Sequence, residues 1–238
     1  MSLNQKPVLA VIPARGGSKG LRGKNMREVN EIPLVGYTIN SALNSKYIDE
    51  VYLTSDDELA LKYAETFGVQ GICRPDKFSN DIASANGVVE HFISTLPKEL
   101  ADKNPYIIYL QPTSPLRTAV HIDDALKGMV AAGLDRLISV AKMEKSPFKA
   151  FILDDQDRLQ ALFAEGSSNK RRQDLPAVFM PNGAIYVFEL SAFTERSSFP
   201  SNGSYAYVMS DDESLDIDSE SDLDLFRQAL GQNIIIQI

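Results

Sequence analysis

Apolar side chains recur along the chain with two different periods, and the switches between them mark out alternating strands and helices. Residues 8–13, VLAVIP, form a β-branched apolar run of the kind that fits a strand covered on both faces. Leu34, Tyr37, Ile39, Ala42 and Leu43 then fall on a helical stripe with Pro33 at its start. Residues 49–55 read as a second strand ending in a polar turn, 57–67 as a helix closed by Gly68, and 69–73 as a third strand. Val88, Val89, Phe92, Ile93 and Leu96 give 84–96 a helical period, and the continuous apolar run 106–110 predicts a central strand. Such alternation implies α/β architecture, with a mostly parallel sheet built by right-handed crossovers and flanked by helices.

The rhythm weakens across 139–181, where SPFK, DDQD and the polar 165–174 stretch predict hairpins and a mobile loop rather than another βαβ unit. This segment is expected to protrude as an excursion from one domain spanning 1–238. It also holds Phe148, Phe151, Ile152, Leu153, Leu162 and Phe163, an apolar set that a soluble monomer avoids exposing, so a homodimer that buries it is expected. Pro181, Asn182 and Gly183 predict a turn into a strand at 184–188, residues 214–218 alternate polar and apolar, and 223–230 reads as a helix. The terminal NIIIQI fits an edge strand or a disordered tail.

Chemistry concentrates after the first strand. The loop 14–25 sets several glycines among Arg15, Lys19, Arg22 and Lys24. Glycine allows close backbone approach, so amides such as those of Gly16 and Gly17 can converge on an anion while cations close from the sides. Neither G-x-x-x-x-G-K-[ST] nor G-x-G-x-x-G is present, because Gly23-Lys24 is followed by Asn25. A solvated surface turn is the alternative for such a loop. Its place at the carboxyl end of the first strand argues for a ligand, since open α/β sheets bind there. A second polar turn, QPTSPLR at 111–117, follows the 106–110 strand and is stiffened by two prolines. Asp216 and Asp218 lie on one side of an extended backbone, where two carboxylates repel unless a cation sits between them; capping of the following helix is the structural alternative.

Composition narrows the partners. A net charge of -8 over 238 residues argues against nucleic acid and anionic membranes, so the basic loop is a local site. No run of 18 apolar residues and no signal-peptide pattern is seen, and a single cysteine, Cys73, read as a buried thiol, fits a cytoplasmic protein. Two histidines supply neither a His/Cys zinc site nor a His-based triad well.

The loop IPARGGSKGL through Lys24-Asn25, with QPTSPLR, the arginine ahead of Leu-Pro at 172–176, the 182–187 segment and SLDID at 214–218, resembles the CMP-sialic acid synthetases, the acylneuraminate cytidylyltransferases. The related enzymes acting on Kdo have a similar opening with a different loop, and molybdenum-cofactor guanylyltransferases open differently again. The resemblance implies a Rossmann-like nucleotide-diphospho-sugar transferase fold, with 139–181 making dimer contacts. It implies transfer from CTP to a nine-carbon 2-keto sugar acid with Mg2+. Under it, Arg15 and Lys24 hold the triphosphate with the Gly16 and Gly17 amides, and Asn25 lies near the nucleotide. Gln111 and Thr113 contact the sugar, with Asn182 also at the substrate, and Arg172 steers the sugar or its carboxylate from its own or the partner subunit. Asp216 and Asp218 hold magnesium. Arg74 and Ser84 are the candidates for reading cytosine, because DIASANG at 81–87 matches the family only in part. The resemblance further implies the bacterial-type short form, without the added C-terminal domain of vertebrate enzymes. N-acetylneuraminate, its deaminated analogue, legionaminate and pseudaminate all remain open as the acid. A nucleotidyltransferase of other specificity and a non-catalytic nucleotide-binding regulator are the competing classes.

Overall fold

Strand β1 (Val8–Pro13) is the axis of the molecule, with Val8 through Ile12 wholly enclosed. The computed structural model describes residues 3–17, 20–79 and 83–231. After β1 come a small hairpin, β2 (Glu28–Val29) and β3 (Ile32–Pro33), then α1 (Leu34–Leu43), β4 (Glu50–Ser55), α2 (Glu58–Glu65) and β5 (Gln70–Cys73). Next are α3 (Ala85–Thr95), α4 (Lys98–Ala101), β6 (Tyr106–Tyr109), α5 (Ala119–Ala131) and β7 (Arg136–Lys142). A second hairpin, β8 (Phe151–Leu153) with β9 (Leu159–Ala161), precedes β10 (Phe179–Glu189), α6 (Leu190–Arg196), β11 (Tyr205–Met209) and α7 (Glu220–Gly231).

Seven strands form one sheet in the order β11-β7-β10-β6-β1-β4-β5. β1 runs parallel to β4 and β6, β4 to β5, and β7 to β11, while β10 is antiparallel to both neighbours. The α/β, mostly parallel sheet expected from the alternation is what forms. Because β1 is covered on both faces, its side chains divide between two cores. Val8, Ala10 and Ile12 pack with α1, α2 and α5, whereas Leu9 and Val11 pack with Val88, Val89 and Phe92 of α3 and Phe193 of α6.

A third, smaller core matters most for the site. Leu21 of the glycine loop, Leu34 and Tyr37 of α1, Leu116, Ile217, and Leu223 and Phe226 of α7 enclose one another. Tyr37 meets Phe226 edge to face with ring centroids 4.9 Å apart. This cluster brings the start, middle and end of the chain to the carboxyl end of β1, with no strand pairing needed to do it.

Three expectations change, and one element is added to them. Helix α5 fills a stretch to which the sequence pattern assigned no element; Thr118 caps it, accepting from the His121 amide at 3.3 Å. β10 is a single strand of 11 residues, so Pro181, Asn182 and Gly183 form an irregularity in a ladder instead of a turn, with Gly183 at φ 77°. The irregular segment is shorter than 139–181, since β7 runs to Lys142 and β10 begins at Phe179. Cys73, expected buried, is exposed at the end of an edge strand, where the sheet has no further neighbour to cover it. Part of DIASANG (residues 81 and 82), Lys19 and the NIIIQI tail lie outside the described residues. Among the described residues no helix is long and apolar enough to cross a membrane.

Candidate active site

The carboxyl ends of β1, β5 and β6 open into a cleft of about 450 Å³, within the range of small-molecule sites. Its first wall is the glycine loop. The Ala14 amide donates to Thr54 O at 3.0 Å and the Gly16 amide to Asp56 Oδ1 at 2.9 Å, so the loop is moored to the end of β4. Asn25 is buried and its Nδ2 donates to Arg15 O at 2.9 Å, holding the loop in its curve. The Gly16 amide expected to face a phosphate is thus already engaged with a carboxylate, while Gly17 stands exposed.

Lys24 occupies a short 3-10 turn (Lys24–Met26). Its Nζ donates to Ile217 O at 2.7 Å and to Asp218 Oδ1 at 2.8 Å, which leaves its side chain only 12% exposed. Lys24 is therefore a mostly buried, engaged lysine that still lines the cleft. Gly20 rides on the same segment: a Cβ there would stand 2.7 Å from Asp218 O, and backbone cannot swing aside as a flexible side chain can. Gly20→Ala is expected to destabilise the fold by about 1–3 kcal/mol through this overlap, whereas Gly17→Ala, with nothing within 4 Å of its added methyl, changes little. Equal melting temperatures for the two variants would show that the loop does not sit on 216–218.

The second wall holds the carboxylates. Asp216 and Asp218 both line the cleft, while Ile217 between them is buried and Leu215 packs beside it, as the alternation implies. The Ile217 amide donates to Thr113 O at 2.8 Å, and the Thr113 side chain hydrogen-bonds Asp216. Asp216 is exposed as a residue, yet its carboxyl sits deep enough in the cleft for burial to push its pKa up, with the charge of Asp218 adding to the rise and the Thr113 hydrogen bond opposing it. Capping of α7 does not involve the pair's side chains. Asp222 Oδ2 accepts from the amides of Asp218 and Ser219 at 3.0 and 2.8 Å, and Ser219 Oγ accepts from the Asp222 amide at 3.4 Å.

Arg74 lies at the back of the cleft, buried, with Nε donating to Ser79 Oγ at 3.1 Å and its guanidinium 3.9 Å from Asp56. Burial lowers its pKa, opposed by the charges of Tyr109 and Asp56. Ser84 accepts from the Gly87 amide at 3.1 Å as the cap of α3, and its neighbours Ala83 and Ala85 line the cleft in its place.

Gln111 and Asp216 also border an adjoining cavity of about 540 Å³, completed by Lys142, Met143, Met180, Asn182 and Tyr186. The side chain of Asn182 is a brace there: Oδ1 accepts from Ser139 Oγ at 2.6 Å and Nδ2 donates to Ser214 Oγ at 2.9 Å. Arg172 stands apart. Exposed on a 3-10 turn (Arg172–Asp174), it lines a third hollow that meets the second at Lys142 and Met143. A single chain therefore does not bring Arg172 to Lys24, Asp216 and Asp218. Asp56, Tyr109, Lys142 and Tyr186 went unread in the sequence. Asp56 and Lys142 could have been found, since each directly follows or ends a strand of the main sheet, where open α/β sheets gather ligands.

A cytidylyltransferase family model matches residues 9–234. The chain belongs to that family. Similar relatives include an N-acylneuraminate cytidylyltransferase of Escherichia coli O18:K1:H7, 34% identical over 92% of this chain and 51% of that protein. A pseudaminic acid cytidylyltransferase of Campylobacter jejuni serotype O:2 is 30% identical over 91% of this chain and 93% of that one. Among solved structures, a CMP:2-keto-3-deoxy-manno-octonic acid synthetase complexed with CTP shares the fold of this cytidylyltransferase-family chain, with a TM-score of 0.69 at 18% identity over 95% of this chain and 99% of the other. The chain spans about half the length of the curated N-acylneuraminate cytidylyltransferases it matches. Length beyond the matched region therefore occurs in a bacterial relative too, which removes the contrast between a short bacterial form and a long vertebrate one.

Proposed function

We propose that this chain transfers a cytidylyl group from CTP to the anomeric hydroxyl of a nine-carbon 2-keto sugar acid, N-acetylneuraminate or a close relative, releasing pyrophosphate. The observation that carries this reading is one cleft gathering Arg15, Lys24, Asp216 and Asp218 and running into a second cavity through Gln111 and Asp216. Such a pair of compartments suits a triphosphate beside a polyol acid. Attack of the hydroxyl oxygen on the α-phosphorus forms the new ester bond while the bond to the β-phosphate breaks, its electron pair leaving with pyrophosphate and the hydroxyl proton passing to water. Phosphoryl-type transfer is governed by positioning and charge neutralisation, so cations on the loop matter more than a covalent nucleophile.

Arg15 and Lys24 are proposed to neutralise the phosphates, with Gly17 free to approach them; Asn25 keeps the loop in shape. Arg74 faces the base. Gln111 and Thr113 contact the sugar, and Lys142, at the rim of the second cavity, joins Arg172 as a candidate for its carboxylate. Arg172 would act across the third hollow from its own or a partner subunit. Among the described residues no three His, Cys, Asp or Glu side chains cluster as a metal site, so the protein offers Asp216 and Asp218 alone. Two carboxylates of which one has a raised pKa fit a hard cation whose remaining ligands are phosphate oxygens and water. Magnesium bound there would supply charge neutralisation to the phosphates. The proposed compartment is the cytoplasm, where a nucleoside triphosphate is available.

The decisive experiment measures pyrophosphate release with CTP against other nucleotides, across N-acetylneuraminate, its deaminated analogue, legionaminate and pseudaminate. CTP-specific release with one of these acids is expected, and none with any would leave nucleotide binding without turnover. Pseudaminate is the favoured alternative acid, because the Campylobacter relative matches this chain over nearly the full length of both. We also propose a homodimer through the 143–178 segment, where Phe151, Ile152, Leu153, Leu159, Leu162 and Phe163 are exposed together on or beside the β8–β9 hairpin. Light scattering at micromolar concentration should return twice the mass of one chain; a monomer would remove the interface.

A further inference from the structure

Arg117, at the end of the 111–117 turn, is among the largest fully enclosed side chains of the protein, at 1% exposure. Its Nη1 donates to Gln111 O at 3.1 Å and to Ala184 O at 2.9 Å, and its Nη2 donates to Thr38 Oγ1 at 2.6 Å. Among the described residues its Nε has no partner and no acidic neighbour opposes burial, which pushes its pKa down to about 9. A bare buried cation is expensive, and an apolar side chain would fill the same space without that penalty. What an apolar side chain does not do is grip carbonyls of two separate segments at a set spacing, which the rigid planar fork of a guanidinium does.

Gln111 lines both cavities, and Ala184 directly follows Gly183, which lines the second. Gly183 is at φ 77°, where the lack of a side chain lets the Gln111 amide lie against the β10 irregularity: an added Cβ would stand 2.7 Å from Gln111 Oε1. The side chain of Gln111 is thus aimed by the separation of residue 111 from residues 183–184. Apart from Arg117, the Ser114 hydroxyl crosses that gap to Asn182 O at a long 3.4 Å. Thr38 supplies the third anchor, from the helix that follows the glycine loop.

We propose that Arg117 is a positioning residue that sets Gln111 against the β10 irregularity and thereby fixes the sugar-acid side of the cleft. This rests on the proposed function, in which Gln111 meets the sugar. Arg117→Lys keeps the charge and loses the fork. In pyrophosphate-release kinetics it is expected to raise KM for the sugar acid about tenfold while KM for CTP stays within about twofold. Combined with Gln111→Ala it should add almost nothing, because the two residues act through one contact. Equal rises in both KM values, or full additivity with Gln111→Ala, would overturn the proposal and return Arg117 to a purely structural role. Should Arg117→Lys not fold, Thr38→Val removes one anchor only and must show the same split at smaller amplitude; equal shifts in both KM values there overturn it as well. Wild-type protein that releases no pyrophosphate with any acid would sink the functional reading first. Amide hydrogen exchange then decides for Arg117. Faster exchange in Arg117→Lys, or in Thr38→Val where Arg117→Lys does not fold, confined to 111–114 and 182–184, supports it; exchange unchanged, or raised across the whole sheet, refutes it.

Discussion

Lys24→Ala is expected to lower kcat/KM for CTP on the order of a hundredfold, because a positioned charge-assisted contact to a reacting phosphate contributes roughly 2–4 kcal/mol to transition-state stabilisation, about 30- to 900-fold in rate. The ammonium is held by Ile217 O and Asp218, so contact with phosphate oxygens competes with those two partners. Its removal therefore also unpins the 217–218 backbone. The Asp218 carboxylate is largely exposed, so the ion pair itself contributes little to stability, and most of the expected loss of about 1 kcal/mol comes from the bond to Ile217 O. Melting curves and steady-state kinetics on one preparation separate the two effects. Near-normal kcat/KM would take Lys24 out of the site, and a collapse in melting temperature would make it a structural residue first.

Asp216→Asn and Asp218→Asn are each expected to depress kcat and raise the magnesium concentration needed for half-maximal activity, since either change halves the protein charge available to the ion. The double variant should be little worse than the worse single one, because a site already broken is not broken again. The two single changes differ in their neighbours. Asp218→Asn also strips Lys24 of its ion-pair partner, while Asp216→Asn alters the hydrogen bond from Thr113. Helix capping no longer competes as an explanation, since Ser219 and Asp222 make the hydrogen bonds at the start of α7. Magnesium titrations that leave all three variants indistinguishable from wild type would dismiss the carboxylate pair from the mechanism.

The alternation of β1, α1, β4, α2, β5, α3 and β6 was legible because each element is specified by neighbours a few residues away. Burial on one face imposes a period of 3.6 on a helix, and burial on both faces makes an inner strand continuously apolar. Helix α5 escaped notice although Thr118 caps it, its polar residues His121, Asp123 and Asp124 blurring the stripe that Ile122, Ala125, Leu126 and Met129 bury. The first part of β10, at 181–183, read as a turn for a similar reason. Pro181 and Gly183 carry turn chemistry, yet the pairing of Phe179 to Pro181 with β7 holds the backbone in one strand. The glycine loop and the 216–218 carboxylates could be named from the chain itself, because their residue types at those spacings resemble a known family. Their partners could not. The Lys24–Asp218 contact spans 194 positions, and Arg117 reaches Ala184 across 67. Contacts of that range exist only once the strand order and the small core of Leu21, Leu116, Ile217 and Phe226 have closed. Sequence by itself determined which segments become strands and helices and which residue types could meet an anion. The tertiary structure decided which of those residues face one another, because long-range pairing is set by the shared packing of distant segments and leaves no local period to read.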